Sequence, residues 1–141
     1  MVEQLKTDFH NKCYLCEMKD LQDPQIEHLL PHKNGRYPER KYDWNNLFWS
    51  CAHCNSMKNQ DKYDAGIIDC CRQDPEELIF FRLRDKQVEI TTTVSGNDKT
   101  SALTAELIYE IFNKSNTGMR VYKSAVRLKL LTKEISTLLL R

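Results

Sequence analysis

The chain has 141 residues, of which 40% are hydrophobic and 29% charged, and its formal net charge is +1. This composition excludes a disordered chain, and no apolar run is long enough to span a bilayer. The first residues, 1–12, lack the apolar stretch of a secretion signal, so we expect a cytoplasmic protein with no membrane partner. In that compartment the six cysteines are better explained by metal binding than by disulfides.

The charge is segregated along the chain although the net charge is close to zero. Residues 61–90 carry eight acids against five bases, and residues 119–141 carry six bases against one acid. Such segregation favours a protein in which one face meets nucleic acid and another does not. A basic helix face that is simply solvated is the alternative.

Two Cys-x-x-Cys pairs lie in the first 60 residues, Cys13–Cys16 and Cys51–Cys54, and 34 residues separate them. Zinc prefers four ligands at tetrahedral corners, and each pair fills two corners from one tight turn. We therefore predict a structural Zn²⁺ site made of these four thiolates, with no position left open for water. His53 is a possible ligand by residue type, but its place inside the second pair favours a neighbour of the site.

Between and after the pairs, chemically suggestive residues follow in a fixed order. Glu27-His28 ends a short predicted strand, Asn46-Leu47 lies on a second predicted strand, and Cys54-Asn55-x-x-Lys58 opens a helix. A lone His after a Glu is a weak signal, since most such histidines are surface residues or satisfied core residues. The order and the flanking cysteine pairs make the combination much more specific.

These motifs resemble the signature of the HNH endonuclease family, in the variant whose last His is replaced by Asn. The resemblance covers about residues 13–59 and implies a ββα-metal fold. It implies that Glu27 and Asn55 are ligands of a catalytic Mg²⁺ or Mn²⁺ and that His28 is the general base. It also implies that Asn46 holds the loop between the strands through backbone hydrogen bonds. The family usually has Asp before the His, so Glu27 is a departure that moves this ligand by one methylene.

The chemistry of phosphodiester hydrolysis agrees with these roles. A hard divalent cation held by a few protein oxygens keeps positions for phosphate and water, and Glu27 and Asn55 both offer oxygen. A neutral imidazole near pH 7 can take the proton from water, which is the role expected of His28.

The segment between the predicted strands is rich in bases and aromatic residues, which is typical of contact with a nucleic-acid backbone or with unstacked bases. The aromatic residues could instead pad the zinc site. Lys58, on the helix, could contact phosphate or be a solvated lysine. The candidate nucleic-acid-binding residues are Lys33, Arg36, Arg40, Lys41 and Lys58.

The rest of the chain predicts a hairpin and two helices. Residues 61–77 are predicted to be a loop, 78–83 and 88–94 two strands, and about 100–113 and 119–140 two helices. We expect an α+β protein in which residues 1–62 form the zinc-pinned ββα-metal nuclease core. Residues 63–141 would add a hairpin and a helical pair. The adjacent Cys70 and Cys71 cannot readily chelate one metal together, although a redox or second-metal role stays open.

A second resemblance reaches further along the chain. Tyr42-Asp43-Trp44, Gly66-Ile67-Ile68-Asp69 and Asp74-Pro75 are similar to segments of the HNH subunits of retron-associated and Septu-type antiphage defence systems. Those subunits work beside an ATPase, so the resemblance implies an ATPase partner docked on the C-terminal helices. Family members often have Pro where this chain has Cys70, and this chain is short.

The leading functional hypothesis is a metal-dependent endonuclease that cuts or nicks DNA, with duplex DNA as the expected substrate. A non-catalytic zinc module that binds nucleic acid or protein would need the four cysteines but not Glu27, His28 and Asn55 together. An interaction subunit with a decayed nuclease site would be expected to have lost the base, and His28 is present. The residues leave the oligomeric state open, and also whether RNA is cut.

Overall fold

A computed structural model describes residues 1–113 and 119–139, with side chains described within 1–113 and 124–137. The chain forms two compact units, Met1–Gln73 and Asp74–Arg141. Ile67 and Ile68 are buried and belong to the first unit, which therefore extends past residue 62. The predicted end of the nuclease core at residue 62 stays a prediction, because the units describe compactness and not function.

The first unit is built on a β-hairpin followed by a helix. It contains helix α1 (Val2–Asp8), strand β1 (Pro24–His28), helix α2 (Pro38–Lys41), strand β2 (Leu47–Cys51) and helix α3 (Ala52–Lys58). Short 3-10 turns cover Trp44–Asn46 and Asp61–Tyr63.

The two strands of this hairpin are antiparallel and fix the register of the site. Glu27 lies opposite Phe48, and His28 lies opposite Leu47. Every residue of β2 is buried, because α1, β1 and α3 all pack against this strand. Asn46 was expected on the second strand, but it ends the 3-10 turn just before it. The predicted ββα arrangement is confirmed.

The second unit is a hairpin packed on a long helix. Its elements are α4 (Pro75–Leu78), β3 (Ile79–Arg84), β4 (Gln87–Thr92), α5 (Lys99–Phe112) and α6 (Met119–Leu139). The predicted strands and helices are confirmed with ends shifted by one or two residues. Asp85 and Lys86 both have positive φ, 49° and 62°, which is the geometry of a two-residue hairpin turn matched to strand twist.

The loop predicted over 61–77 is wrong at both ends, where short helical turns form. At the second of these, Pro75 stands at the start of α4 and the Asp74 side chain accepts a hydrogen bond from the Glu76 backbone at 3.0 Å. Asp before Pro is a good local signal for a helix start. The length of α4, four residues, is too short for apolar periodicity to reveal it.

The core of the second unit comes from one face of α5 against β4. Leu107, Ile111 and Val88 are fully buried. Asp98 caps α5 by accepting from the Ser101 backbone at 2.7 Å. Three of the six bases of residues 119–141, at 120, 123 and 141, lie outside the described side chains.

Over the described residues, no helix is both long and apolar enough to cross a membrane.

Candidate metal centre and active site

The four cysteines of the two pairs converge on one point. Their sulfur atoms all lie within 4.8 Å of one another, and Cys16 Sγ is 3.8 Å from Cys51 Sγ. Sulfurs 2.3 Å from a tetrahedral zinc lie about 3.8 Å apart, so the cluster has the dimensions of a four-cysteine zinc site. Cys13, Cys51 and Cys54 are fully buried. These four cysteines could hold a zinc ion without any further ligand, since they supply all four sulfur atoms.

Backbone geometry explains why the two pairs face each other. Cys51 ends β2 and caps α3, where its sulfur accepts from the Cys54 backbone at 3.4 Å. The first pair lies in a turn, and the Tyr14 backbone donates to the Trp49 carbonyl at 3.0 Å. That hydrogen bond joins the first turn to the strand that leads into the second pair.

The thiols influence one another electrostatically. A hydrogen bond from Cys16 holds the pKa of Cys13 below its usual value, and the same pairing raises the pKa of Cys16. Burial raises the pKa of Cys54. Zinc ligation requires thiolates, so binding would release the protons that Cys16 and Cys54 retain.

The remaining cysteines and the histidine inside the second pair stand apart from this cluster. Within the described part of the chain, the cluster contains neither His53 nor Cys70 and Cys71. His53 is buried in α3. Burial raises the pKa of Cys70 to about 12, which makes its thiol a poor nucleophile because the thiolate is the reactive form.

The end of β1 presents Glu27 and His28 to opposite sides of the strand, as neighbouring strand residues do. Glu27 is 3% exposed, whereas His28 is half-buried. Glu27 therefore faces the interior toward α3, which packs against β1.

An ion pair fills the interior beside Glu27. Lys58 Nζ lies 2.7 Å from Glu27 Oε1, and the two side chains are 4% and 3% exposed. The same ammonium donates to the His28 carbonyl at 3.0 Å. Burial raises the pKa of the Glu27 carboxyl and Lys58 opposes that shift. Burial and the Glu27 carboxylate together raise the pKa of the nearby Tyr14 hydroxyl.

The His28 ring is held by backbone. Its Nε2 lies 3.0 Å from the Lys41 carbonyl oxygen. A carbonyl can only accept a hydrogen bond, so Nε2 must carry the hydrogen and Nδ1 of a neutral ring keeps its lone pair. The His32 ring packs edge-on against the His28 ring, with 4.7 Å between the two centroids. The Gly35 backbone donates a hydrogen bond to His32 Nδ1 at 3.1 Å.

Asn46 holds together the connecting segment, residues 29–46, which joins β1 to β2. Its Nδ2 donates to the carbonyls of Leu30 and Arg40 at 2.8 Å and 2.9 Å, and its Oδ1 accepts from the Leu30 backbone at 2.8 Å. The backbone hydrogen bonds expected of Asn46 are therefore present. They place Lys41, one residue beyond Arg40, where its carbonyl meets His28.

Asn55 is the fourth residue of α3 and is half-buried. Asn55 lies on α3, which packs against the strand β1 that carries Glu27. The buried Glu27 carboxylate is bound by Lys58, and a hydrogen bond from the Tyr14 hydroxyl also lowers the pKa of this carboxyl. A carboxylate oxygen from Glu27 and an amide oxygen from Asn55 are the ligand types that a hard cation such as Mg²⁺ or Mn²⁺ prefers.

The candidate nucleic-acid-binding residues fall into two groups. Arg40 and Arg36 lie over the Tyr37 ring, at 4.1 Å and 5.7 Å from its centroid, and Lys41 lies 5.3 Å from that of Tyr42. These bases and the exposed Lys33, which pairs with Asp64, lie on the segment next to His28. Lys58 is different, since its ammonium is buried against Glu27 and faces no solvent in this structure.

Two features of the site were missed from sequence. The pairing of Lys58 with Glu27 had no signal, because a Lys three residues after Asn55 in a helix is usually solvated. The contact of the His32 ring with His28 had no signal beyond the spacing of the two residues, which predicts no contact where the chain forms an irregular turn.

A two-stranded antiparallel hairpin, a helix behind it and a four-cysteine cluster joining them define the zinc-knuckle ββα class. Residues 13–61 match the family described as HNH endonuclease. The chain is also 30% identical over 92 residues to the Septu protein PtuB of Bacillus thuringiensis. That similarity covers 60% of this chain and 35% of PtuB, and it agrees with the resemblance to Septu-type subunits. No solved structure matches.

Proposed function

We propose that this protein is a metal-dependent endonuclease that hydrolyses phosphodiester bonds of DNA, with His28 as the general base. The observation that carries the proposal is the contact of His28 Nε2 with the Lys41 carbonyl. It fixes the tautomer whose Nδ1 can accept a proton from water. This imidazole lies directly after the buried Glu27, on the strand that packs against α3.

Glu27 and Asn55 would hold the catalytic Mg²⁺ or Mn²⁺. When bound, such an ion stabilises negative charge on the phosphate and on the leaving oxygen. The chain's own part is to present one carboxylate oxygen and one amide oxygen from two elements packed together. Asn46 would act through the backbone, since it binds the Arg40 carbonyl, one residue before the Lys41 carbonyl that contacts His28.

Zinc at Cys13, Cys16, Cys51 and Cys54 would be structural. All four corners are filled by sulfur, so the ion would have no open position for water or substrate. Its role would be to hold β2 and α3 in the arrangement in which α3 packs against the strand of Glu27.

Lys33, Arg36, Arg40 and Lys41 would contact the DNA backbone on either side of the scissile phosphate, with duplex DNA as the main substrate. Their support is position, because they lie on the segment that ends at the carbonyl bound by His28. For Lys58 the prediction of a phosphate contact would require the ammonium to leave Glu27 first.

The similarity to PtuB and the motifs shared with Septu-type subunits support a place in bacterial antiphage defence beside an ATPase. The second unit would supply the docking surface, since the match to the HNH family ends at residue 61. A cytoplasmic location follows from this role. The chain spans 35% of PtuB, so partner and target are proposals for this chain.

The test is nicking of supercoiled plasmid in Mg²⁺ or Mn²⁺, with EDTA as a control, by the wild type and by His28→Asn. We expect His28→Asn to lower the rate by about 10²–10⁴-fold. The matched control is His10→Asn, an exposed histidine at φ 54° where Asn is well tolerated. Zinc content should be unchanged in both variants.

Nicking that survives His28→Asn would show that another group is the base. Equal inactivity of all variants in every metal, with and without a candidate ATPase, would favour the non-catalytic zinc module.

A further inference from the structure

The Glu27–Lys58 ion pair occupies the carboxylate on which the proposed cation site depends. The pair is almost fully buried, and its atoms are 2.7 Å apart. A buried carboxylate needs a compensating positive charge, and in the described structure Lys58 supplies it. Lys58 comes from α3, one turn after Asn55.

One carboxylate with one buried ammonium is already neutral as a pair. A divalent cation at the same carboxylate would place three positive charges around Glu27 in a region of low dielectric constant, where like charges repel strongly. The Lys58 ammonium and a divalent cation therefore cannot both bind the Glu27 carboxylate closely at the same time.

We propose that Lys58 is the resident counter-charge of Glu27 and that its ammonium competes with the divalent cation for this carboxylate. The inference rests on the proposed function, in which Glu27 is a cation ligand. Lys58 Nζ also donates to the His28 carbonyl, so release of Lys58 changes a contact of the strand residue that carries the base. Lys58 is thus a positioning residue that couples cation occupancy to the backbone at His28.

A permanently structural ion pair is the competing explanation, and it predicts different measurements. If the pair persists with the cation bound, removing the Lys58 charge leaves cation affinity unchanged or weakens it through damage to the fold. If Lys58 competes, removing its charge tightens cation binding, an outcome that fold damage does not produce.

The first experiment measures Mn²⁺ affinity by electron paramagnetic resonance on the intact chain with its zinc retained. Lys58→Met keeps the length of the side chain and removes the charge, whereas Lys58→Arg keeps the charge. Lys62→Met is the matched control, because Lys62 is exposed and its loss changes the net charge equally. Measurement at pH 8.5 limits competition by a proton for Glu27.

We expect Lys58→Met to bind Mn²⁺ at least about tenfold more tightly than the wild type, because a unit charge a few ångströms away is removed. Lys58→Arg and Lys62→Met should stay within about twofold, a difference that reflects only weak or screened charge effects. Unchanged or weaker binding by a folded Lys58→Met overturns the proposal.

Glu27→Gln separates this failure from failure of the proposed function. If Glu27→Gln loses Mn²⁺ binding while Lys58→Met shows no gain, only the competition is wrong. If neither the wild type nor Lys58→Met binds Mn²⁺, or if Glu27→Gln binds as well as the wild type, the proposed cation site at Glu27 is wrong, and the competition falls with it.

A second experiment needs no variant and covers the case in which Lys58→Met fails to fold. Nitrogen-15 NMR of the lysine side chains should show a protected Lys58 ammonium signal in the wild type, because its ion pair is buried. Saturation with Mg²⁺ should shift this signal strongly or remove it by exchange with water. A Lys58 signal that stays in place while the amides of β1 and α3 respond to Mg²⁺ overturns the proposal.

Discussion

The two units of this chain bury polar groups for different purposes. In the first unit the buried groups include a charged pair, Glu27–Lys58, and most of a cluster of four thiols. In the second unit several buried polar side chains satisfy backbone groups. Asn113 bonds both the carbonyl and the N–H of Val88, and Ser124 donates to the Glu110 carbonyl.

This difference indicates what each unit depends on. The first unit gathers groups that are costly to bury without partners, so we expect its stability to depend on zinc and on charge pairing. We expect the second unit to depend mainly on apolar packing of α5 on β4. A perturbation that removes a charge or a metal ligand should therefore act on one unit, and a cavity should act on the other.

Loss of a zinc ligand should give the largest effect. We expect Cys54→Ser to unfold the first unit, because zinc contributes roughly 10–16 kcal/mol in small domains and a whole domain is stable by about 5–15 kcal/mol. Hydrogen exchange with mass spectrometry should show lost protection in β2 and α3 and retained protection in β4 and α5. Cys70→Ser, outside the cluster, is the control. Equal loss of protection in both units would break the comparison.

A cavity in the second unit should come next. Leu107 is fully buried, so Leu107→Ala should lower the free energy of unfolding of that unit by about 2–5 kcal/mol. Denaturant unfolding followed by exchange of α5 amides measures it. The exposed neighbour Glu106 gives a control, since Glu106→Ala should change stability by no more than about 0.5 kcal/mol. A loss of zinc from Leu107→Ala would contradict the division.

Removal of the Asn113 side chain should cost somewhat less. Its two hydrogen bonds to Val88, at 2.9 Å and 3.2 Å, are buried, and Asn113→Ala leaves both backbone groups without this partner. We expect a loss of about 1–3 kcal/mol, with faster exchange at the Val88 amide. Normal protection of that amide in the variant would show that the contact is unimportant.

The smallest effect should follow from loss of the α5 cap. Asp98 accepts from the Ser101 backbone at 2.7 Å, and Asp98→Ala should cost about 1 kcal/mol. Asp98→Asn keeps the acceptor and should recover most of that loss. If both variants lose the same amount, the negative charge at the helix start, and not the hydrogen bond, is what stabilises α5.

Local patterns predicted most of the fold. The two cysteine pairs, the β-branched runs and the apolar stripe of α5 are each read from spacing within one segment. The short helix α4 was missed because it has only four residues, too few for apolar periodicity to indicate it.

The site was predicted in part, for a related physical reason. Motif order gave Glu27, His28 and Asn46, and the structure shows the hydrogen bonds expected of Asn46. The burial of Lys58 could not be predicted, because it depends on how α3 packs on β1, a long-range contact with no local pattern. The contact of His28 with the Lys41 carbonyl could not be predicted either. Every residue has a backbone carbonyl, so residue identity gives no signal for such a contact.

The attachment of the connecting segment at both ends has an evolutionary consequence. Asn46 holds Leu30 on one side and Arg40 on the other, and the Tyr37 backbone donates to the His32 carbonyl within the loop. Residues 33–36 thus form the tip of this segment, and the hydrogen bonds that anchor the segment come from residues outside the tip. If the proposed function holds, insertions and substitutions there would alter which target is contacted while the imidazole stays in register, so target range could diversify without rebuilding the chemistry.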